Sequence, residues 1–434
     1  MLPTWRNWSR LVSARPAALL EPRAEEEVAR VVAAAQSIKA VGRGHSFTAI
    51  AETSGVALDL RRMRRVVAIE GDVATCEAGI TIGELARRLA AVGLALANQG
   101  DIDRQTVAGA IATGTHGTGA RFHSLSQQVA ALRLVDAAGR VRTIAGGEDL
   151  LAARVGLGAL GVVTRVSFRC VPLFGLRRIE EPIDRQRVLS AFDAFADSAD
   201  HFEIFALPYA RRCLVLRADR TAPPRGTHLS RARKLASDLL LANGLFGLHC
   251  RAARRWPRAV PRLNRLLAGG FGRAQHHDVA YRIYAHPRLV RFNEMEYALP
   301  RAAGPEAVQR VLELIERRRL PICFPIEVRV SAAEEALLSP AHQRDTTWIA
   351  VHQYAPMAHE DFFRAVEEEV MRPLGGRPHW GKLHYREANE LAQLYPGWTR
   401  FQALRARFDP TGKFENAYLR RVLGPVRAGG DDGR

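Results

Sequence analysis

Glycines and hydroxyl side chains crowd one stretch of this chain, residues 100–119, where five glycines and four threonines stand in place of bulky side chains. Such a stretch buries little apolar surface, but its bare backbone can lie directly against a large planar or phosphate-bearing ligand. A second glycine-rich turn, Gly42-Arg43-Gly44-His45, follows a strand-like run and can point consecutive N–H groups at a phosphate. With a third glycine-rich run at 156–161, these loops predict a fold built around a large phosphate-bearing cofactor.

The turn at residues 42–45 does not match the common dinucleotide-binding fingerprint. Its third glycine is missing and no helix begins directly after it, so a Rossmann site is not indicated. Taken alone, the sequence of this turn is more typical of a tight structural turn than of an anion-binding site. Only its combination with residues 100–119 and 156–161 favours the cofactor.

Length and cysteine usage narrow the class of protein. A chain of 434 residues corresponds to two or three domains. The five cysteines are scattered without a CxxC pair, so neither a disulfide framework nor a metal site is predicted. The N-terminus is polar and aromatic, and no apolar run approaches the roughly 18 residues of a membrane span. We expect a cytoplasmic protein without a cleaved signal or a transmembrane helix.

Much of the formal net charge of +18 lies in one segment. Residues 221–275 hold eleven Lys or Arg and a single acid, Asp238. One interpretation is peripheral contact with an anionic membrane through a basic amphipathic helix within residues 225–275, and the other is a solvated surface insertion. No zinc finger, RNP or helix-turn-helix motif accompanies the charge, so nucleic-acid binding is not predicted.

Hydrophobic periodicity predicts an α+β protein with a change of pattern near residue 173. Apolar residues at helical spacing predict helices near residues 28–35, 82–89 and 308–315, and Thr81 with Glu84 resembles a capping box for the second. Strand-like runs occur at 38–41, 56–60, 66–70, 73–78, 129–136, 141–144, 162–168, 295–297 and 325–330. We place a domain boundary at 172/173, with residues 410–419 as a closing segment and 427–434 as a loose tail.

Two later runs alternate polar and apolar residues with the period of a strand. In residues 325–330 this places Glu327 and Arg329 on one face, and in residues 348–354 it places His352 and Tyr354 together. If the two strands are neighbours, these groups converge on one surface. The alternative is a sheet with one wet face and an ion pair worth ~0.2–1 kcal/mol.

Lys382 follows an aromatic residue and a glycine in the turn His379-Trp380-Gly381-Lys382. Most lysines are simply solvated. A lysine held beside Arg329 in a partly dry pocket would have its charged form disfavoured, which would bring it closer to use as a base.

Several motifs, in order along the chain, resemble the vanillyl-alcohol-oxidase type of flavoprotein and, within it, the FAD-linked sugar-lactone oxidases and their alditol oxidase relatives. They are Trp5-Arg-Asn7-Trp8-Ser9, Gly42-Arg-Gly44-His45-Ser46, Gly100-Asp-Ile-Asp103, Thr113-Gly-Thr-His116-Gly117, Glu294-Met-Glu296-Tyr297, His379-Trp380-Gly381-Lys382 and Asp409-Pro410-Thr-Gly412-Lys-Phe414. The resemblance implies an N-terminal FAD-binding α+β domain, residues 1–172. It also implies a C-terminal substrate or cap domain, residues 173–434, with an antiparallel sheet and a C-terminal segment that closes against the FAD domain.

The resemblance also implies the cofactor and the residues that hold it. FAD would be attached covalently through His45, whose neutral imidazole has a lone pair for an electrophilic flavin. The alternative is a loop histidine that only makes hydrogen bonds. The implied cofactor-binding residues are Gly42, Arg43, Gly44, His45, Ser46, Phe47, Asp101, Thr106, Gly109, Gly114, His116, Gly117, Val162 and His379.

On the substrate side, the residues that match the family are Glu327, Arg329, His352 and Lys382. The implied reaction is oxidation of an aldono-1,4-lactone at a carbinol carbon, with oxygen or another acceptor taking the electrons. An alditol oxidase acting on open-chain polyols would share every motif. A non-catalytic, basic membrane- or polyanion-binding protein on a flavoprotein fold is the alternative from another class.

Overall fold

The structure, a computed structural model, describes residues 3–224, 244–285 and 288–426. The N-terminal part contains β1 (Trp5–Arg6), β2 (Ser13–Ala14), β3 (Ala18–Leu20), α1 (Glu25–Ala34), β4 (Ile38–Val41), β5 (Val56–Asp59), β6 (Val66–Glu70), β7 (Val73–Glu77), α2 (Ile82–Ala90), β8 (Leu94–Leu96), α3 (Val107–Ala112), β9 (Val129–Val135), β10 (Val141–Ile144), α4 (Gly147–Ala153) and β11 (Val162–Pro172).

The rest of the described chain begins with β12 (Gly175–Asp184), α5 (Arg185–Ser190), α6 (Phe192–Asp197), β13 (His201–Ala206), β14 (Arg212–Thr221), α7 (Phe246–Arg255), α8 (Val260–Gly269), β15 (Ala274–Val279) and α9 (Ala280–Tyr284). It continues with β16 (Phe292–Pro300), α10 (Gly304–Arg317), β17 (Ile326–Ser331), β18 (Thr346–Tyr354), α11 (Glu360–Val366), a π-helical turn (Glu367–Met371), β19 (Arg377–Pro378), α12 (Ala388–Leu394), α13 (Trp398–Phe408) and α14 (Ala417–Leu423). Short 3-10 turns lie at Ala49–Ala51, Leu60–Arg62, Ser126–Gln128, Pro257–Ala259 and Arg301–Ala303.

Two larger sheets and one small parallel sheet organise these elements. The parallel sheet has the order β3-β5-β4. An antiparallel sheet has the order β10-β9-β11-β7-β6, and β8 pairs with the end of β11. An eight-stranded antiparallel sheet has the order β15-β12-β14-β13-β17-β18-β16-β19. The α+β prediction, including an antiparallel sheet in the C-terminal part, is therefore confirmed.

Local sequence signals explain where several elements begin. The Thr81 hydroxyl accepts a hydrogen bond from the Glu84 N–H and starts α2, whose apolar face is buried. Only this half of the predicted capping box is formed, because the Glu84 carboxylate pairs with Arg88 one turn later. The predicted hairpin is present as β9 and β10, and the predicted boundary near residue 173 falls between β11 and β12.

The four central strands β13, β17, β18 and β16 separate an apolar face from a polar one. Ile204, Val328, Ile349 and Met295 belong to a core that includes the buried side of α10. The residues that alternate with them are mainly polar, and they form the floor described below. Period-two alternation thus places apolar packing on one side of the sheet and a row of charges on the other.

The C-terminal helices return to the N-terminal part of the chain. Phe401 and Leu419 pack in one core with Leu85 and Leu150. The loose tail predicted at residues 427–434 lies outside the described residues, as do residues 225–243 of the basic segment. No helix of the described ranges has both the length and the apolarity that crossing a bilayer requires.

Candidate active site

A cavity lies among the three glycine-rich segments. Its walls include residues 42–46, 105–106, 108–109 and 111–113, and the run 156–158 with Leu160 and Gly161. The α3 helix begins at this wall because the Thr106 hydroxyl accepts from the Gly109 N–H at 3.3 Å.

Two glycines of this wall show why larger residues would not fit. A Cβ on Gly42 would lie 2.8 Å from the Thr106 Oγ1, and one on Gly161 would lie 2.4 Å from the Val135 carbonyl oxygen. Because a side chain would clash at either position, both residues are glycines and present bare backbone to the cavity. Such a surface fits the phosphates and flat rings of a dinucleotide, as the sequence predicted.

The predicted cofactor residues fall into two groups. Gly42, Arg43, Gly44, His45, Ser46, Thr106 and Gly109 line the cavity, and Val162 is buried between the lining residues Gly161 and Val163. Phe47, Asp101, Gly114, His116, Gly117 and His379 are not among the lining residues. Of these, Phe47 ties the first loop to the Lys382 turn, because its N–H donates to the Gly381 carbonyl at 2.7 Å.

His45 lies at the edge of this cavity with a neutral ring. Burial lowers the pKa of His45 to about 4, and the nearby charges of Lys382 and Arg104 act in the same direction. The Trp8 ring stacks beside it, with the ring centroids 6.3 Å apart. At neutral pH the imidazole therefore keeps a lone pair on one nitrogen.

A charged floor adjoins the loops. Residue Arg329 of β17 stands opposite Glu203 of β13, and its Nε donates to the Glu203 Oε1 at 2.8 Å. Its Nη2 lies 2.5 Å from the Glu327 Oε1. Burial raises the pKa of Glu327 well above its usual value. The charge of Arg329 acts to lower this pKa, but the charges of Glu203 and Asp101 oppose that effect. Glu327 is therefore a carboxyl group that holds its proton more tightly than an exposed one.

Asp101 joins the floor to a loop from the other side. Its Oδ1 lies 3.5 Å from the Arg329 Nη2, and its Oδ2 accepts from the Arg288 Nη2 at 2.6 Å. Arg288 also approaches the Glu327 Oε2 at 4.0 Å. Asp101, which the resemblance assigns to the cofactor, thus lies among the residues assigned to the substrate.

Lys382 and His352 share the carboxylate of Glu294. The Lys382 Nζ pairs with the Glu294 Oε2 and lies 4.0 Å from the Glu296 Oε2. The His352 Nε2 lies 3.4 Å from the Glu294 Oε1, while its Nδ1 is 3.1 Å from the Pro325 carbonyl oxygen.

The expectation that the charged form of Lys382 is disfavoured is wrong. Strand β16 carries Glu294 and Glu296 next to β18, and these acids raise the pKa of Lys382 although burial opposes them. For Glu294, burial acts to raise the pKa, but the charges of Lys382 and His352 outweigh burial and lower the pKa to about 2. Lys382 is therefore a fixed cation.

His116, Glu296 and His379 form a buried group whose ligand atoms lie within 4.8 Å of one another. The His116 Nδ1 is 2.8 Å from the Gly117 carbonyl oxygen, its Nε2 is 3.2 Å from the Glu296 Oε1, and its ring stacks on Trp348. The His379 Nδ1 accepts from the Gly381 N–H at 3.0 Å, so its Nε2 carries the hydrogen. These hydrogen bonds leave His379 without a free ligand nitrogen, and the group suits a hydrogen-bond network better than a metal.

The sequence left open whether β17 and β18 are neighbours, and the structure pairs them. Sequence reasoning did not identify Glu203, Arg288, Glu294 and Glu296. Alternation in the run Glu294-Met295-Glu296 was the available signal for the last two. Tyr354, grouped with His352 by its position in the strand, pairs with Phe292 and packs in an aromatic cluster.

The glycine-lined cavity and the charged floor beside it define a flavin-dependent oxidoreductase, and residues 16–145 match the family described as FAD binding domain. Residues 166–422 match the family described as D-arabinono-1,4-lactone oxidase. The chain belongs to the D-arabinono-1,4-lactone oxidase family.

Known proteins of similar sequence or structure agree with this assignment. The chain is 46% identical to the L-gulono-1,4-lactone dehydrogenase of Mycobacterium tuberculosis, over 98% of this chain and 100% of that protein. It is 32% identical to the alditol oxidase of a Streptomyces species, over 96% of this chain and 98% of that protein. Its fold is similar to that of a cholesterol oxidase from B. sterolicum, with a TM-score of 0.82 and 17% identity over 98% and 97% of the two chains.

Proposed function

We propose that this protein oxidises the carbinol carbon of an aldono-1,4-lactone with FAD. The observation that carries the proposal is the floor of buried Glu327, Arg329 and His352 with half-buried Lys382, next to the glycine-lined cavity. The family and the name of the mycobacterial relative support a lactone as the substrate. When bound, FAD supplies the hydride acceptor, and the protein supplies binding, orientation and electrostatics.

Arg329 and Glu327 bind and orient the polyhydroxy substrate. Arg329 is fixed by Glu203 and Glu327, so its guanidinium presents a rigid positive charge to oxygen atoms that gain negative charge during the reaction. Glu327, which tends to stay protonated, offers a hydroxyl donor where a carboxylate would only accept. The pair thus recognises both donor and acceptor oxygens.

His352 and Lys382 divide the handling of the hydroxyl proton. The His352 Nδ1 donates to the Pro325 carbonyl, which turns its Nε2 toward the Glu294 carboxylate, and this carboxylate stabilises the imidazolium that forms when Nε2 takes up the hydroxyl proton. Lys382 remains charged and polarises the hydroxyl oxygen.

The test of the substrate is an anaerobic titration of the purified protein with L-gulono-1,4-lactone and with xylitol. We expect the lactone to bleach the flavin absorbance and to have the higher kcat/KM. A higher kcat/KM for xylitol would make the protein an alditol oxidase, and no bleaching by either compound would favour the non-catalytic alternative. Repeating turnover with oxygen and with a dye as acceptor identifies where the electrons go.

Covalent attachment of FAD through His45 is the second part of the proposal. The neutral imidazole at the cavity edge supports it, since a free lone pair is what the bond to the flavin methyl group requires. Acid precipitation should leave the yellow colour with the wild-type protein, whereas His45→Ala should release the flavin into the supernatant. Colour in the wild-type supernatant would contradict covalent attachment.

Peripheral membrane contact is the third part. Residues 244–275, the described part of the basic segment, contain seven arginines and no acid. Among them, Leu248 of α7 is 56% exposed, Trp256 is 58% exposed and Leu266 of α8 is 77% exposed. Exposed apolar side chains among arginines suit the headgroup region of an anionic bilayer better than free solvent.

A further inference from the structure

Lys39 is a buried lysine to which the proposed reaction gives no role. Lys39 is the second residue of β4, and the whole residue is 2% exposed. The Nζ donates to the Phe414 carbonyl at 3.0 Å and to the Gly158 carbonyl at 3.3 Å. Among the residues that the structure describes, no carboxylate oxygen lies within 4.0 Å of it. A buried ammonium group held only by carbonyls is costly, so an additional acceptor would stabilise it.

The surroundings of Lys39 face the cofactor cavity. Lys39 lines this cavity together with Gly158, Leu157 and Leu160. An ammonium group has three N–H donors, and the two carbonyls use two of them. The third donor is available to a ligand in the cavity.

The end of the cavity at Lys39 differs from the end at His45. The charged groups that shift the pKa of His45 are Lys382, Asp101, Arg43 and Arg104. Two of them, Lys382 and Asp101, belong to the reaction floor. The charged groups that shift the pKa of Lys39 are Arg405, Asp409 and Glu415, and none of them belongs to the floor. His45 and Lys39 both line this cavity, so a dinucleotide whose redox ring lies by His45 has Lys39 within the same cavity for its other half.

We propose that Lys39 donates its third hydrogen bond to the adenosine-phosphate half of FAD. The proposal rests on FAD binding but not on which sugar is oxidised. Because Lys39 also holds the Phe414 carbonyl, the same ammonium group ties the C-terminal turn to the cofactor. Lys39 is thus a binding residue remote from the chemistry.

The protonation state of Lys39 gives the proposal a pH signature. Burial, with a smaller effect of Arg405, lowers the pKa of Lys39 to about 7, while Asp409 and Glu415 oppose the shift. A neutral amine has only two N–H donors, and both are used by the carbonyls. Affinity for the adenosine-phosphate half should therefore fall as the pH rises above about 7.

The experiment uses full-length His45→Ala protein freed of flavin, and calorimetric titration with ADP and with FMN as separate probes. Lys39→Met in this background should weaken ADP binding by about tenfold or more and leave FMN binding unchanged. Lys413→Met is the matched control, because the Lys413 Nζ also donates to two carbonyls, those of Val32 and Ala33, but does not line the cavity. We expect Lys413→Met to bind ADP like its parent.

A second measurement does not depend on how well Lys39→Met folds. In the His45→Ala background, ADP affinity should fall between pH 7 and pH 9, whereas Lys39→Arg, which stays charged, should show a flat profile. Arg405, Asp409 and Glu415 are present in both proteins, so the difference between the profiles reports Lys39. Any of three results would overturn the proposal. Lys39→Met could bind ADP as tightly as its parent, it could lose FMN affinity as much as ADP affinity, or Lys39→Arg and its parent could show identical pH profiles.

Discussion

Glu327 shows how one buried side chain links the reaction floor to the stability of the fold. Its raised pKa means that the folded state holds a proton that the unfolded chain releases near pH 4.5. Between these two pKa values the folded state binds more protons, so stability falls as the pH rises. The residue thus lowers stability under the alkaline conditions in which it is forced to ionise.

Glu327→Gln should remove this pH dependence, because the amide has the shape of the protonated acid and cannot ionise. We expect its free energy of unfolding to fall less than that of the wild type between pH 5.5 and pH 8.5, by up to ~1.4 kcal/mol for each pH unit over which the folded carboxyl stays protonated. Urea denaturation at both pH values measures the difference, and Glu70→Gln, at an exposed position of β6, is the control. A loss of stability that is the same at both pH values would instead indicate an ionised Glu327 paired with Arg329.

At the same scale, the sequence predicted which residues share a strand face but neither the strand pairing nor the charge of Lys382. Alternation put Glu327 and Arg329 on one face of β17 and His352 on one face of β18, and the pairing of the two strands brings these faces together. The environment of Lys382 depends on β16, whose acids approach only because that strand pairs with β18. Sequence spacing alone cannot show which neighbour a lysine in a turn will meet.

Helix α3 is the element that connects local capping to the cofactor cavity. Its N-cap Thr106 and the N-cap Thr81 of α2 use their hydroxyls in the same way, and the two residues form an isolated bridge with each other. Only Thr106 lines the cavity. The two threonines therefore provide a comparison in which the cap is the same and the ligand contact differs.

Thr106→Ala and Thr81→Ala should each lower the free energy of unfolding by about 1 kcal/mol, since each removes one N-cap hydrogen bond. Thr106→Ala should in addition lower the flavin content per protein after purification in the His45→Ala background. Thr106→Ser keeps the hydroxyl and should restore the flavin content. If Thr81→Ala released as much flavin, the effect would come from general loosening of the domain and not from the cavity wall.

Most strands up to β11 and three of the helices were predicted, and the features that formed only in part or could not be placed have physical causes. Strands such as β6 and β9 combine β-branched residues with clear turns, so their bounds follow from the sequence. The capping box at Thr81 formed only in part, because Glu84 has a closer partner in Arg88. The loop residue Asp101 could not be placed from the sequence, since its partners Arg288 and Arg329 are about 190 and 230 positions away.

At the scale of the whole molecule, the site is built from both ends of the chain. The Lys413 Nζ donates to carbonyls at the end of α1, and Asn416 holds the carbonyls of residues 49, 50 and 52. The C-terminal segment thus packs against the loops of the first third, which the Phe47–Gly381 and Gly119–Val330 hydrogen bonds also join directly to later parts of the chain. Such long-range contacts make the site a property of the complete fold.

The excess of positive charge also acts at the scale of the whole molecule, and it predicts salt-dependent binding to anionic vesicles. Each arginine near such a surface contributes about 1 kcal/mol, and exposed Leu248 and Leu266 add apolar burial. Cosedimentation with phosphatidylserine-containing vesicles should be strong in low salt, weak in 1 M salt, and absent with phosphatidylcholine alone.

Leu248→Ser combined with Leu266→Ser should weaken this binding several-fold, because it removes the apolar contact and keeps every charge. Val92→Ser is the matched control, since Val92 is 56% exposed but lies just after α2, outside the basic segment. Unchanged vesicle binding in the double variant would show that the arginines act alone. No binding of the wild type to anionic vesicles in low salt would make the basic segment a solvated surface, the other interpretation of its charge.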